Sequence, residues 1–172
     1  MSGFIDWLEE LSERDTKVRA VLRRSLAFDP GTHIPTFPYV EPFLNGEAED
    51  WRRQMHYLVA GLWAAHWREG RAEATASLAE ACALHQVKSG SASTERRFIN
   101  LLDADREQLP HRLRQMVALL KEQPIDFQAL LHDLLSWSLD KRPVQIAWAR
   151  DFYRTLGHAD TSETELEMET EE

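Results

Sequence analysis

Apolar residues recur at three- and four-residue intervals along most of this chain, a spacing that predicts helices. Phe4, Leu8 and Leu11 share one face of a first helix over 4–11. Val18, Val21, Leu22 and Ser25 line the inner face of a second over 16–27, with Asp15 placed to cap it. Trp51, Met55, Leu58, Val59, Leu62 and Trp63 form the stripe of a long helix over 50–69, which Gly70 should stop. An alanine-rich helix is expected over 72–87. Further helices are expected over 93–105 (Ser93 as cap), 107–122 (Pro124 just beyond) and 127–138 (Asp126 as cap). The last should start at Asp140, carry Pro143 in its first turn and end before Gly157. No stretch alternates as a strand does.

Two segments break the periodicity. Four prolines fall between Pro30 and Pro42, and that density predicts an ordered connecting loop. The small polar run KSGSAS, residues 88–93, is the natural boundary. The expected fold is all-α: a helical lobe over 1–88 and a second over 89–158, small bundles joined by a flexible linker. A disordered acidic tail over 159–172 follows.

Composition sharpens this picture. With 43% hydrophobic residues the chain can build a core. Its single cysteine, Cys82, excludes an intrachain disulfide and fits a reducing compartment. No apolar run reaches membrane-spanning length, and the start MSGFIDWLEEL is acidic, unlike a secretory signal. A cytoplasmic protein without membrane contact is expected. The net charge of −9 is unevenly spread. From Asp160 onward there are seven acidic residues and no basic one; without them, 20 basic residues face 22 acidic ones, a net charge of −2. Arrangement, not total charge, must therefore create any basic face.

The arginines come as doublets on three helices: Arg23-Arg24, Arg52-Arg53 and Arg96-Arg97. With Phe98 facing the core, the 100° helical step puts Arg96 opposite, and Arg97 and Arg106 on the two flanks. Leu109, Leu113, Met116, Val117 and Leu120 face inward on the next helix, leaving Arg114 and Lys121 on one flank and Arg112 on the other. A guanidinium beside an apolar stripe suits phosphate, because its planar fork donates two hydrogen bonds and stays charged. The same spacing also suits a solvated face with ion pairs.

Catalytic motifs are missing. His132-Asp133 is a lone dipeptide, and Cys82 with His85, or His56 with His66, does not make a ligand set. There is no nucleophile elbow and no phosphate-binding glycine loop. Neither a catalytic site, nor a metal, nor a cofactor is expected. Trp51, Trp63, Trp137 and Trp148 fall at core positions of their helices, and Trp67 is expected to pack at a helix end.

Several stretches resemble the CasB family, the small subunit of the type I-E CRISPR surveillance complex, Cascade. They are Glu95-Arg96-Arg97-Phe98, Ala104-Asp105-Arg106, Leu113-Arg114, and Ile125-Asp126-Phe127 leading to Leu135-Ser136-Trp137. Leu22-Arg23-Arg24-Ser25 and Tyr39-Val40-Glu41-Pro42-Phe43 add to the likeness. The resemblance implies a two-lobed helical protein without catalytic activity. It implies copies paired head to tail, contacts with the crRNA-carrying backbone subunits and the large subunit, and a hold on the target and displaced DNA strands of the R-loop. By position it implies nucleic-acid contacts at Arg23, Arg24, Arg97, Arg106 and Arg114, with Arg52 or Arg53 opening the long helix. Arg96 completes its doublet. A purely structural scaffold between other subunits is the alternative.

Overall fold

The structure, a computed structural model, describes residues 3–46, 48–69 and 76–170. The expected stop at Gly70 and the first residues of the alanine-rich helix lie outside them. No strand occurs among the described residues, which form helices α1 (Phe4–Arg14), α2 (Lys17–Arg24), α3 (Phe37–Leu44), α4 (Asp50–His66), α5 (Leu78–Ser89), α6 (Ser93–Leu102), α7 (Leu109–Leu119), α8 (Phe127–Leu135) and α9 (Pro143–Thr170). None is long and apolar enough to cross a membrane.

The fold is built around α4. Its sequence reads as a stripe, yet every residue from Met55 to Ala64 is buried, including His56, Tyr57 and Gly61. A helix covered on all sides needs neighbours on all sides, and α4 packs on α2, α3, α7 and α8. Gly61 permits one of these approaches: a Cβ there would lie 2.7 Å from Leu26 Cδ2. Trp51, Trp63, Trp137 and Trp148 are all buried, and the Arg19 guanidinium lies 3.5 Å over the Trp67 ring.

Helix α5 packs on α6 and α9. Phe98 of α6 stacks on Phe152 of α9 with ring centres 4.5 Å apart, both fully buried. Buried side chains from α1 to α9 form one continuous apolar cluster. The boundary expected at residue 88 thus falls between two helices that pack on each other. The KSGSAS segment is a tight turn: Gly90 closes α5 at φ 66°, the Ser91 and Ser93 hydroxyls are 2.8 Å apart, and Glu95 N–H donates to Gln86 Oε1 at 2.7 Å. Cys82 sits on α5 with no exposed surface, and burial pushes its thiol far above the usual cysteine range.

Two expectations are corrected. The proline-rich segment is not all loop: Ile34–Thr36 makes one 3₁₀ turn and Phe37–Leu44 is helix α3. Pro38 stands in the first turn, where its absent N–H is no loss, and Val40 is buried beneath. Gly157 does not end α9, which runs on to Thr170 through the segment expected to be disordered. An anchored helix extends at little cost per residue. Here the anchor is α5, and the Thr161 and Ser162 hydroxyls bond back to the carbonyls of Gly157 and His158 at 3.0 Å.

The capping expected at Asp126 is present, its Oδ1 accepting from Ala129 N–H at 2.9 Å. The Asp126 N–H also donates to Ala76 O at 2.8 Å. Asp126→Ala should cost about 1 kcal/mol of stability, read as a lower urea midpoint with unchanged slope.

Candidate nucleic-acid interface

The structure gathers two of the eight arginines singled out above. Arg52, in the first turn of α4, and Arg106, in the connection between α6 and α7, line one open cleft of about 460 Å³. Leu44, Ala48, Glu49, Trp51 and Leu135 complete its lining. Helix α6 stops at Leu102, so Arg106 is not on a helix flank as its spacing suggested. The connection that carries it is fixed from below. Trp137 Nε1–H donates to Ala104 O at 2.9 Å, and Trp51 Nε1–H donates to Leu134 O at 2.9 Å. The Arg106 guanidinium carbon lies 4.7 Å from the Trp51 ring centre, and its Nε–H donates to Ser138 Oγ at 2.8 Å. A cation over an aromatic face gains about 0.5–1 kcal/mol. Arg106 remains exposed as a residue.

A second cleft of about 480 Å³ adjoins the first at Arg106 and includes Asp105, Glu107 and Arg142. Asp105 Oδ1 is engaged by Gln108 N–H at 2.9 Å. Arg142 was not among the residues singled out. It donates to Leu102 O and, with Lys141, adopts the left-handed backbone (φ 52° and 66°) before Pro143 opens α9. The signal was there to read: Lys141-Arg142 is a fourth basic doublet, placed just ahead of a helix-starting proline.

Arg53 and Arg114 face inward and do not join the cleft. Arg53 Nε–H donates to Glu41 Oε1 at 3.0 Å and its Nη1 to Ala48 O at 3.0 Å, and the Tyr57 hydroxyl donates to the same carboxylate oxygen at 2.7 Å. Arg114 donates from α7 to Leu26 O, at the end of the turn after α2. Both are better understood as clasps between elements than as phosphate ligands. Arg23 and Arg24 are exposed in the last turn of α2, and Arg96 and Arg97 are exposed on α6. None of these four is in an ion pair among the described residues.

The Arg53 clasp gives the protein an acid limb. Burial tends to raise the Glu41 carboxyl, but the Tyr57 and Arg53 hydrogen bonds outweigh it and hold the group below the usual range. Burial likewise lowers His56, whose Nδ1 lies 2.7 Å from Arg52 O. At both groups the unfolded chain takes up a proton at higher pH than the folded one. Stability is therefore full above about pH 6.5 and falls as pH drops, first through His56 and then, below about 4.5, through Glu41. Glu41→Gln should remove the lower step, measured as urea midpoint against pH.

Among the described residues no three of His, Cys, Asp and Glu converge as metal ligands. The described residues are helical throughout their regular structure, and two guanidinium groups line one cleft. Residues 18–153 match the family described as CRISPR-associated protein Cse2. A relative described as CRISPR-associated protein Cse2, from Thermus thermophilus, is 47% identical over 98% of this chain and 96% of its own length. The crystal structure of CasB from M. ruber superposes with a TM-score of 0.79 at 40% identity, covering 92% of this chain and 94% of that one. A chain of a CRISPR RNA-guided surveillance complex in a pre-nicking form gives a TM-score of 0.79 at 25% identity, over 93% and 95%. This chain belongs to the CRISPR-associated Cse2 family, also called CasB.

Proposed function

We propose that this chain is the non-catalytic small subunit of a crRNA-guided Cascade complex and that it steadies the opened DNA by holding phosphates. The observation that carries the reading is the cleft where Arg52 and Arg106 meet, with neither guanidinium in an ion pair among the described residues. Family membership supplies the context, and the similar chain in a surveillance complex supports it. Guide pairing reads sequence, while exchange of a DNA duplex for a heteroduplex is nearly balanced, so a few contacts to phosphate suffice to tip it. Such contacts need no base code. Arg23, Arg24, Arg96 and Arg97 extend the grip along α2 and α6. In this reading copies pair head to tail against the backbone and large subunits in the cytoplasm, and touch the target and displaced strands.

A scaffold role has its own support. Ile34, Ile99, Leu139 and Ile146 are exposed apolar side chains suited to contact with other subunits. The two roles separate by salt. Each phosphate contact on a single strand steepens log K against log salt by about 0.7. Charge reversals in the cleft should flatten that slope and shorten R-loop lifetime in the assembled complex. If the reversed subunits assemble and the R-loop is as long-lived as with the unaltered chain, the grip fails. If they no longer enter the complex, the scaffold role explains these arginines.

A further inference from the structure

Phosphate holding alone does not account for the shape of the cleft. A phosphate track needs cations on a surface, whereas Arg52 and Arg106 line a cleft together with Leu44, Ala48, Trp51 and Leu135. At about 460 Å³ it falls within the roughly 300–1,000 Å³ typical of small-molecule sites. Arg106 is held by Trp51 and Ser138, so the planar guanidinium is kept in place before anything binds. The Trp51 ring is buried, with Arg106 over it. The π-surface left for a ligand is therefore the exposed side of Arg106.

We infer that this cleft takes one unstacked nucleotide of a single DNA strand, its phosphate on Arg52 and its base lying against Arg106 over Trp51. The inference rests on the nucleic-acid reading above and deepens it. A duplex cannot enter in this way, because its base faces are already covered by their neighbours. A guanidinium backed by an aromatic ring is a good partner for a base, since it offers a weakly hydrated plane as well as a charge. Glu49 adds selectivity. Glu49 is exposed and lines the cleft, and its carboxylate only accepts hydrogen bonds. It favours a base edge carrying an amino group, as in cytosine, and disfavours thymine, whose exocyclic oxygens it repels.

The test uses the full chain and short single strands at fixed salt, with affinity read by fluorescence anisotropy. Three strands are compared: oligo-deoxycytidine, oligo-deoxythymidine, and an abasic strand with the same phosphates. The unaltered protein should bind the cytidine strand roughly tenfold or more tightly than the abasic one, and thymidine in between. Arg106→Lys keeps the charge but loses the plane. It should bring the cytidine strand down to the abasic level while leaving abasic binding and the salt slope unchanged. Glu49→Ala should erase the preference for cytidine over thymidine while strengthening binding to thymidine. Equal binding of base-bearing and abasic strands by the unaltered protein overturns the inference and leaves the phosphate grip standing. So does an Arg106→Lys chain that weakens both strands alike. Absence of salt-dependent binding to any strand overturns both.

Discussion

The Arg52→Glu/Arg106→Glu variant is expected to bind single-stranded DNA at least about a hundredfold more weakly than the unaltered chain. The Arg52 hydrogen bond to phosphate is worth about 1.5–3 kcal/mol and the base lying on Arg106 about 1–3 kcal/mol, and the repulsion of two new carboxylates adds to their loss. The slope of log K against log salt should flatten by about 0.7, the loss of the single-strand phosphate contact at Arg52. Folding should survive. Both side chains are exposed, and the main loss is the Arg106 contact with Trp51, worth about 0.5–1 kcal/mol. A glutamate at position 52 would also sit in the first turn of α4, where the helix dipole favours a negative charge. A large binding loss with a nearly unmoved melting temperature would assign the effect to the cleft. A melting temperature that falls with the affinity would assign it to the fold.

The largest effect on stability is expected at Phe152. Its ring has no exposed surface and stacks on Phe98, joining α9 to α6 while α5 packs on both. Phe152→Ala should cost about 3–5 kcal/mol, the transfer term plus the cavity left behind. For a chain of this length that is a fall of about 6–20 °C in melting temperature. Phe152→Leu, which refills most of the volume, should recover much of it. Calorimetry on the pair separates cavity from ring stacking.

Features governed by local chemistry were legible in the sequence. The helical period, the Asp126 cap and the burial of four tryptophans each depend on neighbours a few residues away, or on apolarity alone. What the sequence hid was set at long range. Arg114 looked like Arg106 by spacing, yet Leu26 O, 88 residues distant, takes its guanidinium. Arg53 looked like its neighbour Arg52, but the Glu41 carboxylate lies on its side of α4. Arg106 was drawn onto a helix flank because the period of α6 was carried past Leu102. The Trp137 contact with Ala104 instead holds that stretch against the end of α8. Pro38 read as a breaker because the first turn of a helix, where proline is harmless, has the same composition as a loop; Pro42 stands inside the short helix, where the sequence alone predicts a break.

The lone thiol on α5 has a practical consequence. Cys82 is the only cysteine in the chain, wholly enclosed and held in its unreactive form by burial. No alkylating reagent can reach it while α5 is seated against α6 and α9. Its labelling rate is therefore a clock for the separation of α5 from its partners, read without a mutation or a dye. If labelling slows when DNA or companion subunits are added, the slowing reports in real time how strongly assembly holds the bundle shut.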